Sequence, residues 1–195
     1  MAGTPANADV WSRADVYVAP LGSTIPMGGA PFGAEWDAVG LLNGDDGFSE
    51  SISVDSEDHF AWGGILVATT RSNFKLTRTF TAYEDNPTVY DLVYPGHDIE
   101  FGTNGEFEGD VNVPDLQHRF MIAFQLSRGS GADKRIKRVV SRNYAQVGER
   151  GDSQESETSL ASRELTIDIY PDDMDEDGVA KLFYTYKGPE TAPSP

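Results

Sequence analysis

The acidic run Asp173-Met174-Asp175-Glu176-Asp177-Gly178 carries the sharpest chemical motif of the chain. It matches the opening of a calcium loop, in which alternate carboxylates and a turning glycine converge on the ion. The match stops there. The twelfth position is Tyr184, where a bidentate Glu is needed, and the ninth is Lys181, whose charge opposes a cation. The plainer reading is a solvated acidic turn. The three histidines, His59, His97 and His118, lie far apart and form no metal-ligand spacing. No phosphate-cradling glycine loop, dinucleotide fingerprint or nucleophile elbow occurs. Gly28-Gly29 and Gly63-Gly64 read as turn or close-packing glycines. Carboxylates are abundant, but none is singled out as an acid–base pair facing across a cleft. No catalytic residue, metal site or cofactor is therefore expected, and the chain does not read as an enzyme.

Two constellations point to contact rather than chemistry. Lys134, Arg135, Lys137, Arg138 and Arg142 form a basic run on a β-branched background. As an exposed strand face it would deter edge-to-edge aggregation. As a recognition surface it would meet acidic segments of a neighbouring copy, such as residues 43–58 or 149–157. A nucleic-acid site is the third reading. Trp36, Phe48, Phe60 and Trp62 cluster in a glycine-rich, acidic stretch that also holds Asp45 and Asp46. They serve either as local core or as anchors for a partner, since large aromatics dominate interface energies.

Composition narrows the classes. The chain has 195 residues, a net charge of −17, 38% hydrophobic residues, 20 glycines, 11 prolines and no cysteine. It is long enough for one domain with a real core. The Gly and Pro content favours a loop-rich β protein. No run reaches the ~18 apolar residues of a membrane span. The N-terminus lacks the basic and apolar regions of a standard secretion signal. The absence of cysteine excludes disulfides and fits a reducing compartment or a particle assembled there. The charge is uneven: residues 1–60 hold ten acidic residues against Arg13 alone. Such acidity opposes gripping nucleic acid, which needs cations to displace counterions.

The positioning elements are mostly strands. Residues 74–83 alternate, with Phe74, Leu76, Phe80 and Ala82 on one face and Lys75, Thr77, Thr79, Thr81 and Tyr83 on the other. That period of two predicts a half-buried antiparallel strand. Further strands are expected at 16–19, 120–126, 134–140, 165–170 and 181–187, and 48–54 alternates weakly. One helix is expected at 87–94. Asn86 is a good N-cap, Pro87 suits the first helical position, Val89, Leu92 and Val93 share a face, and Pro95-Gly96 end it. Residues 1–15 read as an N-terminal arm, 22–35 as an irregular loop, 97–116 as acidic with little periodicity, and 188–195 as a C-terminal tail. A mainly β fold follows, a sandwich or open barrel with one flanking helix.

The order of short motifs resembles the major tail tube proteins of long non-contractile-tailed bacteriophages, the siphophage type infecting actinobacteria. The residues carrying the likeness are Trp36 to Gly40, Asp45-Asp46-Gly47, Ala61-Trp62-Gly63-Gly64, Thr70-Arg71-Ser72 and Phe80 through Asn86. It extends more loosely through Arg138 to Val147 and Leu165 to Asp172, over residues 15–187. The resemblance implies a single tail-tube domain at 16–187. Six copies would close a ring by continued sheet pairing, and rings would stack into a tube. A long loop, here 43–63, would reach the next ring through Asp45, Asp46, Phe48, Phe60 and Trp62. It implies a virion protein assembled in the host cytoplasm, with a tape measure protein, a tail terminator and distal tail proteins as partners. An acidic lumen would pass DNA without binding it, and no membrane is involved. Residues 97–116 match no element of that pattern. The alternatives are another tail or neck component of the same fold, such as a terminator or connector, and a carbohydrate- or surface-binding β module.

Overall fold

A computed structural model describes residues 9–153, 160–174 and 176–191; the side chains of Asn104 and Ala132 are not described. The strands are β1 (Arg13–Ala19), β2 (Asp37–Ala38), β3 (Ser49–Ala61), β4 (Ile65–Ala82), β5 (Asp98–Phe101), β6 (Phe107–Asp110), β7 (Met121–Arg128), β8 (Arg135–Ser141), β9 (Ala145–Arg150), β10 (Arg163–Ile169) and β11 (Phe183–Pro189). One helix, α1 (Pro87–Val93), follows β4. All pairings are antiparallel. The first sheet has the order β11-β8-β7-β1-β2 and the second β3-β4-β10-β9, while β5 and β6 form a separate hairpin. Bridges Leu42↔Ala82 and Phe120↔Ala145 tie the structure together outside the named strands. Neither sheet closes into a barrel, so the architecture is an open sandwich.

The main core lies between the sheets. Ile122 and Phe124 of the first sheet, with Phe120 just before β7, meet Leu76, Phe80, Leu165 and Ile167 of the second, and Val89, Leu92 and Val93 of α1 complete it. Each such side chain, fully buried, contributes about 1.5–3 kcal/mol. The expected alternation holds: Leu165, Ile167 and Ile169 are all buried, as are Leu76, Phe80 and Ala82. Phe74 departs from it and is exposed. The cause is a bulge. The β3–β4 register slips between Ser53 and Asp55, and Asn73 takes a positive φ of 53° there. A bulge bends the strand and ends its service to the core.

The helix starts as its sequence dictates. The Asn86 side chain accepts from the Val89 N–H at 2.9 Å, and Pro87 sits in the first turn. Its C-terminal end is capped from outside: Arg150 of β9 donates to the carbonyls of Val93 (2.8 Å) and Leu92 (3.2 Å). A cation there answers both orphan carbonyls and the negative end of the helix.

The strand β7 is buried on both faces, which its alternation did not foretell. Met121, Ala123, Gln125 and Ser127 are buried, as are Ile122 and Phe124, while Leu126 and Arg128 are half-buried. Residues 22–36 lie across the outer face of the first sheet, where Ile25, Phe32 and Trp36 pack with Ala19, Met121, Ala123 and Val140. Arg138 pins this strap. Its guanidinium donates to Gln125 Oε1 at 3.0 and 2.7 Å, to Pro26 O at 3.2 Å and to Ala30 O at 2.8 Å, and it stacks on Phe32 at 4.2 Å. Arg138 is 1% exposed, and burial pushes its pKa down.

The terminal arms are shorter than the sequence predicts. Strand β1 begins at Arg13, and Ser12 already donates to Ser127 O at 3.1 Å, so residues 9–15 belong to the body. Strand β11 runs to Pro189, and Glu190 pairs with Lys134 at 2.7 Å.

Candidate functional site

The largest uncovered feature is a two-stranded ribbon built from the distal halves of β3 and β4. Strand β10 pairs with β4 only from Leu76 to Ala82. Beyond that, residues 55–72 pair with each other alone among the described residues, reaching about 20 Å from the sheet at a strand rise near 3.3 Å. Every residue of the ribbon is exposed. Its turn is closed by Gly64 N–H donating to Ala61 O at 3.1 Å. Gly63 and Gly64 both hold positive φ, 93° and 77°, which a side chain would disfavour. Around that turn stand Phe60, Trp62, Ile65, Leu66 and Val67, all exposed, with Trp62 at 101%.

Polar cross-strand contacts fix the ribbon's register. Thr69 Oγ1 donates to Asp58 Oδ1 at 2.6 Å, Asn73 Nδ2 to Asp55 Oδ2 at 2.9 Å, and His59 Nε2 lies 3.1 Å from Thr70 Oγ1. An isolated two-stranded ribbon is marginal in water, and contiguous bare apolar residues such as those of this tip are a feature of interaction sites in general.

This arrangement corrects the expected loop at 43–63. Residues 49–61 are a strand, and only 43–48 and the 62–64 turn are loops. The five residues expected to stack divide into three places. Phe60 and Trp62 are on the ribbon tip. Phe48 is not an anchor: it packs on the main core, edge-on to Phe124 with centroids 5.2 Å apart. Asp45 and Asp46 sit in an exposed turn organised by Asn43, whose Oδ1 accepts the Asp45 N–H at 2.9 Å and whose side-chain amide donates to Asp46 Oδ2. Ile65, Leu66 and Val67 were missed, although a Gly-Gly pair between two β-prone runs is itself a hairpin signal.

The basic strand also divides. Arg138 is sealed in the body, so it offers nothing to a neighbour. Lys134 is engaged with Glu190. Arg142 is exposed and lies 5.9 Å from the ring of Tyr184. Arg135 and Lys137 are exposed and make no ion pair among the described residues. Register places Arg135 opposite Arg128 and Lys137 opposite Lys187, so the four cations share one rim. Asp9 pairs with Arg128 at 2.7 Å and with Lys187, and Trp11 lies 5.8 and 5.9 Å from the same two cations. The Lys187 hydrogen bond foremost, and the charges of Arg128 and Arg135, hold the Asp9 carboxyl below its ordinary value against the opposing effect of burial.

Of the calcium motif, Asp175 lies outside the described residues. Asp173 and Asp177 are exposed, and no group of three potential ligands is arranged for a metal among the described residues. Of the three tryptophans, Trp36 is buried, Trp11 is half-buried beside Arg128 and Lys187, and Trp62 stands bare on the ribbon. No described helix is long and apolar enough to cross a membrane.

No family model matches the chain, and no curated protein matches it. Among solved structures, the chain is similar to one in the cryo-EM structure of an extracellular contractile injection system, the PVC sheath–tube complex in its extended state. The identity is 14%, with 89% of this chain and 87% of that chain covered, at a TM-score of 0.44.

Proposed function

We propose that the chain is the repeating subunit of a tail tube of the long non-contractile phage type, and that it works by meeting copies of itself. The observation that carries this reading is the bare ribbon with its apolar tip. Burying Phe60, Trp62, Ile65, Leu66 and Val67 on a subunit of the next ring would gain roughly 8–15 kcal/mol. Association itself costs about 4–15 kcal/mol. The ribbon alone therefore about breaks even, and further contact must come from within the ring. The edges of β11, β9 and β3, free among the described residues, would supply backbone groups for continued sheet pairing among six copies. A ring contact that closes and a stacking contact that does not would give a tube. Its charge of −17 would let DNA pass without adhesion. The tape measure, terminator and distal tail proteins would be its partners, and the virion tail its destination.

Negative-stain microscopy of the concentrated protein tests the reading. Long tubes are expected. Single rings would point instead to a terminator that caps without polymerising. A protein that stays monomeric under all conditions, its tape-measure partner included, would overturn the proposal.

A further inference from the structure

The β5–β6 hairpin belongs to neither sheet, yet it is firmly mounted. Phe101 and Phe107 turn toward α1, with ring centroids 5.4 and 5.3 Å from Tyr90. The opposite face follows from register: Asp98 stands across from Asp110, and Glu100 across from Glu108. Like charges directly opposed across strands destabilise the pair. Among the described residues only Asp98 has a side-chain partner, Asn112, which donates to it at 3.2 Å. Glu100, Glu108 and Asp110 are exposed and form no ion pair among the described residues.

The rim formed by Arg128, Arg135, Lys137 and Lys187 is its counterpart. There too, two like-charged pairs face each other in register. One carboxylate, Asp9, serves two of the four cations, and Glu50, in the same cleft as Lys137, is engaged by Arg78 at 2.8 Å. Arg135 and Lys137 stand two residues apart on one strand face, as do Asp98 and Glu100, and Glu108 and Asp110. All three spacings are therefore about 7 Å. No ion pair joins hairpin and rim within one molecule among the described residues.

We propose that the carboxylate face of the β5–β6 hairpin of one copy docks on the Arg128–Arg135–Lys137–Lys187 rim of a second copy. Each surface has two opposed like-charge pairs that cost stability alone, and bringing them together relieves both. The acidic residues of β3 are poorer candidates, because Glu50, Asp55 and Asp58 already have intramolecular partners and Glu57 stands alone without an opposed like charge. This pairing rests on the self-assembly reading above and gives it an electrostatic lock that sets which copies meet and in what register.

Two double variants test it: E100K/E108K on the hairpin and R135E/K137E on the rim. All four side chains are exposed, so each variant should fold, which circular dichroism and melting check. Sedimentation at low ionic strength should show the association constant of each variant alone reduced about tenfold or more. An equimolar mixture should recover association, because each altered surface then finds its complement on the other variant. Either variant assembling like the wild type overturns the pairing and leaves the tube reading intact. So does a mixture that fails to recover. A wild type that does not self-associate removes the tube reading and this pairing with it.

Discussion

The body and the ribbon share the same two strands and differ in what covers them. Strand β4 is sealed at Leu76, Phe80 and Ala82 and open from Ile65 to Lys75. Both halves are rich in β-branched and apolar residues, so propensity does not separate them. Layers do. Near Phe80 the strand has β3 and β10 beside it and the first sheet opposite; past the bulge at Asn73 it has β3 alone. The same chain chemistry thus gives a stable core where a second layer exists and a bare apolar surface where it does not. Stability and assembly should be separable by mutation.

The sharpest way to break that separation is a matched pair of truncations. Phe80→Ala should cost about 3–5 kcal/mol of unfolding free energy in denaturant titrations, as large core truncations do. Trp62→Ser should leave stability within about 0.5 kcal/mol and abolish polymerisation in sedimentation assays. If Trp62→Ser unfolds the body, the ribbon is not an independent element.

A buried polar contact comes next. Arg138→Ala would strand Gln125 Oε1, Pro26 O and Ala30 O under the strap, at a cost of about 3 kcal/mol. Hydrogen exchange should show residues 22–36 losing protection while the ribbon is unchanged. Smaller again, Asn86→Ala should cost about 1 kcal/mol by uncapping α1, read as a shift in the denaturation midpoint.

The smallest expected effect is pH-dependent. The folded-state pKa of Asp9 is depressed, by Lys187 first, so its contribution is fully present above the unfolded carboxylate value and is lost as pH falls through the folded one. Between neutrality and about pH 4 the Ser12 amide, which donates to Ser127, should stay protected. Below that it should exchange faster, and Asp9→Asn should remove the dependence.

Much of the body was legible because its pattern is local. Asn86-Pro87 followed by Val89, Leu92 and Val93 is a helix written within eight residues. Leu165, Ile167 and Ile169 alternate because one face of β10 is buried. The ribbon was harder to read because neither of its faces is buried, so Asp55, Ser56, Glu57 and Asp58 follow no hydrophobic period. The β5–β6 hairpin escaped notice for a related reason: its apolar face, Ile99, Phe101 and Phe107, is interrupted by a turn at residues 103–105. The five basic residues at 134–142 read as one surface, yet alternation sends Arg138 to the opposite side of β8 from Arg135 and Lys137.

The sequence by itself determined what nearest neighbours enforce: a mainly β chain, a capped helix, the strand alternations and a strongly acidic balance. Those depend on spacing and on side-chain chemistry within a few residues. Only the tertiary structure decided which faces are covered. It put the strap over the first sheet, drew Arg138 and Phe48 inside, left Phe60 and Trp62 bare, and set two opposed like-charge pairs on each of two separate surfaces. Burial is a property of elements distant in sequence meeting in space, and no local period encodes which pairs will meet.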